Sequence, residues 1–195
     1  MYYSALRSYD VANGPGVRVT LFVSGCDNKC EGCFQPETWN PKFGKRFTER
    51  TLERIISYID ENKDIINGIT ILGGDPFFKP NISTVSHIVD EFRNTFEDKD
   101  IWVYTGYTLQ HLYNKENYGS ALYKDICNIL SKIDYLIDGR FEQEKKDLKL
   151  QFRGSSNQRL IDMNKTKIVN NRLVVYHKNR LDDENYLVDE YFIKK

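Results

Sequence analysis

The chain has 195 residues, with Lys+Arg and Asp+Glu balanced at 28 each, so charge makes no case for nucleic acid or an anionic membrane as partner. Apolar residues are 40% and aromatics 13%, which excludes a disordered chain and fits one domain with a real core. No apolar run approaches the ~20 residues of a spanning helix, and MYYSALRSYD at the start has no basic segment followed by an apolar run, so neither a membrane anchor nor a signal peptide is expected.

The expected compartment is the cytoplasm, where disulfides are rare and grouped cysteines bind metal or do chemistry. The turn residues NGPG (13–16) precede VRVTLFVSG (17–25), which is β-branched and apolar and reads as a buried strand. A loop rich in Cys, Gly and Pro runs to about Gly44. FTERTLERIISYIDEN (47–62) reads as a helix. Thr48 is its N-cap, Thr51 is polar on the surface, and Leu52, Ile55, Ile56 and Ile59 form the apolar stripe.

The alternation then repeats. GITIL (68–72) is a short strand stopped by GGDP. ISTVSHIVDEFRNTF (82–96) is amphipathic, with Val85, Ile88, Val89, Phe92 and Phe96 on one side. DIWVYTG (100–106) reads as a strand, LYKDICNILSKI (122–133) as a helix, DYLIDG (134–139) as a strand and QRLIDM (158–163) as one more. Strands alternating with helices predict an α/β fold with a mostly parallel sheet and outer helices. A closed eight-fold barrel typically needs about 250 residues, so a partial (βα) barrel or an open sheet is expected, with ligands at the carboxyl ends of the strands. Residues 1–163 form the expected barrel domain. Residues 164–195, with the strand-like RLVVYH (172–177), read as a C-terminal extension with no assigned role.

Three of the four cysteines, Cys26, Cys30 and Cys33, are spaced C-x3-C-x2-C directly after the first predicted strand. A cubane iron–sulfur cluster is normally held by four thiolates, so three leave one iron open to a ligand, as a catalytic zinc keeps an open position. A structural zinc site is the alternative. It needs a fourth ligand, and C-x2-C pairs are the usual opening for one. Cys127 lies on an apolar helix face and reads as a buried, inert thiol.

CDNKCEGC resembles the signature of radical S-adenosylmethionine (SAM) enzymes. NGPGVR (13–18), GCDNKCEGCFQPETWN (25–40), LGGDP (72–76), IWVYTGY (101–107), DGRFE (138–142) and RGSSNQR (153–159) follow in the order shown by one family, the anaerobic ribonucleoside-triphosphate reductase activating proteins. The resemblance covers roughly residues 5 to 160. It implies a radical SAM type of partial barrel with one [4Fe-4S] cluster on Cys26, Cys30 and Cys33. It implies SAM chelating the open iron, reductive cleavage to a 5′-deoxyadenosyl radical, and hydrogen abstraction from a glycine of the large reductase subunit. A one-electron donor, such as a flavodoxin or a thiol system, is implied as well.

In that resemblance Gly73, Gly74 and Asp75 contact SAM, the carboxylate meeting its ammonium, while a strand-ending turn is the plainer account of GGDP. Gly32, Cys33 and Phe34 would run beside the adenine. The broader superfamily has an aromatic where this chain has Gly32. Phe34 is otherwise a core aromatic. Thr105 and Asp138 end strands and are expected near the cofactor. Arg140 is expected to pair with SAM or with Asp138, or to sit in a surface ion pair. RGSSNQR is a solvated loop or a lip receiving the partner's glycine loop, and EQEKKDLK (142–149) is solvated charge.

Overall fold

The computed structural model describes residues 1–193. Its strands are β1 (Tyr2–Asp10), β2 (Val17–Ser24), β3 (Lys45–Arg46), β4 (Ile66–Gly73), β5 (Asp100–Tyr104), β6 (Tyr135–Asp138), β7 (Arg159–Asp162), β8 (Lys167–Val169), β9 (Arg172–Lys178) and β10 (Leu187–Phe192). Its helices are α1 (Glu49–Glu61), α2 (Lys79–Thr95), α3 (Leu109–Leu112) and α4 (Gly119–Lys132). All the strands belong to one sheet, in the order β10-β9-β7-β6-β5-β4-β2-β1-β3, with β8 paired to β9.

The centre of the sheet, β2-β4-β5-β6, is parallel. Its crossovers carry α1, α2 and α4. Both flanks are antiparallel: β1 against β2 and β3 on one side, and β7, β9, β10 and β8 on the other. The fold is α/β, but the sheet is mixed, which corrects the expected mostly parallel sheet. The expectation rested on the strand–helix alternation, and that alternation holds only between residues 17 and 138. Outside it, strands follow each other without a helix long enough to cross over, so they pair antiparallel.

β1 escaped sequence reading because it lacks an apolar alternation: most of its residues are half-exposed, and Arg7, Ser8 and Tyr9 are exposed. The segment after Met163 continues the same sheet as β8, β9 and β10. β9 covers the predicted 172–177 strand.

Period-two alternation sorts the central strands into two faces. Val19, Leu21, Val23, Ile69, Ile71, Ile101, Val103 and Leu136 face the helices and join one core with Leu52, Ile55 and Ile59 of α1, Ile82 to Phe92 of α2, and Ile126, Ile129 and Leu130 of α4. Trp102, Ile137 and Leu160 form a second, smaller cluster with Tyr104, Tyr135, Phe152 and Leu181. No helix residue joins it among the described residues, so the helices cover one face and leave the other to loops.

The α1 start follows its sequence signal. The Thr51 amide donates to Thr48 Oγ1 at 3.3 Å, and the Thr48 amide donates back to Thr51 Oγ1 at 3.3 Å. This is a capping box with a hydroxyl in place of the usual carboxylate. It also buries Thr51, expected at the surface. Cys127, expected to be buried, is half-buried. Among the described residues no helix is long and apolar enough to cross a membrane.

Candidate functional site

The cysteine loop leaves the end of β2 and is pinned at its root. The Gly25 amide donates to Thr38 O at 2.7 Å. The GG of LGGDP packs against the same root, backbone on backbone. Gly74 N donates to Val23 O at 2.7 Å and Asp75 N to Gly25 O at 2.8 Å. A Cβ on Gly73, whose φ is +109°, would lie 2.6 Å from Val23 O, and one on Gly74 would lie 2.5 Å from Gly25 O. Only glycine fits at either position. Asn81, almost fully buried in the first turn of α2, donates to Ser24 O at 3.0 Å and to Asp75 O at 2.9 Å.

Asp75 is the hub of the strand ends. It has no exposed surface. Its carboxylate accepts from Phe77 N at 2.9 Å, Thr105 Oγ1 at 2.9 and 3.1 Å, Gly106 N at 2.9 Å, and Asn28 Nδ2 at 2.9 Å. Asn28 lies between Cys26 and Cys30, so one carboxylate ties the cysteine loop to the ends of β4 and β5. Burial pushes the Asp75 carboxyl up to about 6 although the Gly106, Phe77 and Thr105 donors pull it down. Beside it, burial and then the Asp75 charge push the Cys26 thiol up to about 11. Tyr107, two residues past Thr105, grips the loop again through a hydroxyl that donates to Asp27.

Part of this set lines one cavity of about 580 Å³, on the sheet face the helices leave open. That volume is within the range of small-molecule sites. Cys26, Cys30, Gly32, Cys33, Phe34, Gly73, Gly74, Asp75 and Thr105 all line it. Tyr104 and Leu72 also line it, and the Tyr104 hydroxyl is out of solvent without a hydrogen-bond partner among the described residues. A hollow of about 410 Å³ between β1 and α1, lined by Arg50, Glu53, Arg54 and Glu61 among others, lies apart from the cysteines.

Two sequence expectations, for Asp138 and Arg140, are met differently, and of the two readings of Phe34 the core one fails. Phe34 is not a core aromatic: it stands fully exposed at the cavity wall. Asp138 is not among the residues lining the cavity. It shares parity with Leu136 on the helix side, whereas Ile137 joins the Trp102 cluster. Its carboxylate receives Arg159 Nε at 2.9 Å and the Leu109 amide at 2.7 Å. The partner is therefore Arg159, and Arg140 is exposed.

The segments read as solvated loop and solvated charge form a roof. Lys146, Asp147, Leu148, Arg153, Gly154 and Gln158 line the cavity. Phe152, in the left-handed region at φ 56°, seats the roof by an edge-to-face contact with Trp102 at 5.3 Å. Sequence reading missed Asn28, Asn81, Tyr104, Phe152 and Arg159. The available signals were the asparagine inside the cysteine motif and the strand-end position of Tyr104.

Three thiols on one loop, all at one cavity wall, fit a cluster with an open corner in donor type and number. A thiol held above its ordinary value stays protonated until a metal centre replaces the proton. Among the described residues no three His, Cys, Asp or Glu side chains are gathered as they would be around a single metal ion. A cubane presents its irons at separate corners and asks for no such gathering.

Residues 12–161 match the family described as a 4Fe-4S single cluster domain, so the chain is an iron–sulfur protein by family. It is 39% identical over 158 residues to the anaerobic ribonucleoside-triphosphate reductase-activating protein of Vibrio cholerae serotype O1, covering 81% of this chain and 96% of that one. The protein of the same name from Enterobacteria phage T4 is 39% identical over 160 residues, 82% of this chain and 93% of that one. The protein of that name from Escherichia coli (strain K12) is 39% identical over 158 residues, again 81% and 96%. The chain belongs to the family of anaerobic ribonucleoside-triphosphate reductase-activating proteins.

Proposed function

We propose that this chain is a radical SAM enzyme of the cytoplasm that installs a glycyl radical on the large subunit of anaerobic ribonucleoside-triphosphate reductase. In this reading β2, β4, β5 and β6 with their helices are the partial barrel of the radical SAM type. Cys26, Cys30 and Cys33 hold a [4Fe-4S] cluster, and Gly32, Phe34, Gly73, Gly74 and Thr105 flank SAM. When bound, the cluster would supply the one-electron reduction of SAM, with the electron drawn from a donor such as a flavodoxin or a thiol system.

The chain's own residues hold the two halves of the site in register. Asp75, at the cavity wall, holds Asn28, Phe77, Thr105 and Gly106, so its carboxylate fixes the cysteine loop against the strand ends. Tyr104 offers a hydroxyl whose buried hydrogen-bonding capacity is unspent. A bound ligand with an acceptor would satisfy it. Asp138 acts at one remove, behind the wall.

The observation that carries the reading is that three cysteines of one loop and the strand-end glycines line the same cavity. The test is anaerobic reconstitution followed by spectroscopy with and without SAM. About four irons and four sulfides per chain are expected, with a cluster signal that shifts on adding SAM. SAM cleavage should need a reductant and vanish in Cys30→Ser, and mixing with the reductase should yield a glycyl radical. One zinc per chain in colourless protein, or undiminished cleavage by Cys30→Ser, defeats the reading.

A further inference from the structure

The family match ends at residue 161, and the relatives just compared leave about a fifth of this chain outside their alignments. The structure builds β8, β9 and β10 after that point. β10 then returns two polar side chains to the end of β7. Arg159 Nη1 donates to Tyr191 Oη at 2.8 Å and to Asp189 Oδ2 at 3.1 Å. The Arg159 guanidinium also lies 5.5 Å from the Tyr191 ring centroid. Its Nη2 reaches Gln110 Oε1 at 3.0 Å, and Nε and Nη2 form a two-pronged contact to Asp138 at 2.9 and 2.5 Å.

A guanidinium has five N–H donors in a fixed fork. Asp138 takes two, Asp189 and Tyr191 of β10 meet Nη1 and Gln110 meets Nη2, so β10 helps to set the plane of the fork. Asp138 is 1% exposed. Its Oδ2 holds the Leu109 amide at 2.7 Å, and Gly139 N, next in the chain, holds Tyr107 O at 3.1 Å. Residues 105–109 are therefore gripped from behind by β6 and from the front by Asp75 and Asp27. Thr105 and Gly106, at the front, line the cavity.

We propose that the C-terminal strands are a built-in brace for the cavity: Asp189 and Tyr191 of β10 hold Arg159, Arg159 holds Asp138, and Asp138 holds residues 105–109 against the cysteine loop. Arg159 is a positioning residue in this arrangement. Asp189 and Tyr191 lie outside the family match and set how firmly one wall of the site is held.

The test is hydrogen exchange on the full chain, with Asp189→Ala combined with Tyr191→Phe. Both sites are partly exposed, so the variant should fold. Exchange of the amides of 105–109 should quicken about tenfold, with α1 and β4 unchanged. Exchange of 105–109 within twofold of the parent, with β9 and β10 loosened, overturns the brace. Asp189→Asn, which keeps an acceptor, should fall between the two.

A second arm rests on the SAM reading above. The same double variant, reconstituted, should keep its iron content and bind SAM about tenfold more weakly. Faster exchange with SAM binding unchanged sustains the brace and counts instead against SAM lying along this wall.

Discussion

The two faces of the central sheet are built on opposite rules. Toward the helices, Val19, Leu21, Ile69, Ile71, Ile101, Val103 and Leu136 are at most 2% exposed and purely aliphatic. Toward the cavity the same strands turn Arg18, Thr20, Thr70, Trp102 and Tyr104. Arg18 is fully buried and pairs with Asp100 at 2.6 Å. Tyr104 keeps a buried hydroxyl without a partner. One face is finished by its own packing, and the other carries polar groups that a close-packed core would exclude. The difference teaches where stability resides and where ligand chemistry resides, and substitutions can break or sharpen it.

The largest effect belongs to the helix face. Ile71→Ala should cost about 3 kcal/mol, from lost burial and the cavity left behind, read as a lower urea midpoint at unchanged slope.

An intermediate effect lies at the rim. Asp10 accepts from Ala12 N at 2.8 Å and Asn13 Nδ2 at 2.6 Å, and Ala12 and Asn13 line the cavity. Burial alone would raise the Asp10 carboxyl, but the Ala12 and Asn13 donors outweigh it and hold it below its ordinary value. A depressed carboxyl stabilises the fold above the ordinary value, and this is lost as pH falls through the depressed one. Asp10→Asn should therefore cost about 1 kcal/mol at pH 7, with the deficit closing below about pH 4. A deficit equal at pH 7 and pH 3 would assign the effect to shape rather than charge.

The smallest effect has the opposite sign. Tyr104→Phe removes an unpaired buried hydroxyl and should leave stability unchanged or raise it by under about 1 kcal/mol. A loss as large as that of Ile71→Ala would erase the distinction between the faces. If SAM occupies this cavity as proposed, the same substitution in reconstituted protein should weaken its binding, which a change confined to packing would not do.

Sequence reading followed this division. The helix face was legible because apolar periodicity is a local signal: Leu52, Ile55 and Ile59 of the predicted α1 stripe are buried, with Ile56 half-buried, and the Val85–Ile88–Val89–Phe92 stripe is buried as expected. β1 was invisible because an edge-side strand with half-exposed residues leaves no apolar alternation. The cysteine loop was legible from three thiols in a short span. Asp75 was legible as a residue of the cavity wall but not in what its carboxylate touches. Four backbone and side-chain donors converge on it from residues as far apart as Asn28 and Gly106, and no local pattern marks such a meeting. Asp138 was expected at the cavity because it ends a strand, but the parity of one residue along β6 turned it to the other face.

The amino-acid sequence by itself determined β2, α1, β4, α2, β5, α4 and β6, the helix-facing core and the three-thiol loop, but not the short β3 and α3, since each of the former depends on neighbours a few positions away. Only the tertiary structure decided the antiparallel flanks, the buried carboxylate that joins the cysteine loop to the strand ends, and the reach of β10 to Arg159. Those depend on groups dozens of residues apart competing for the same hydrogen bonds, and that competition is settled only when the sheet has closed around them.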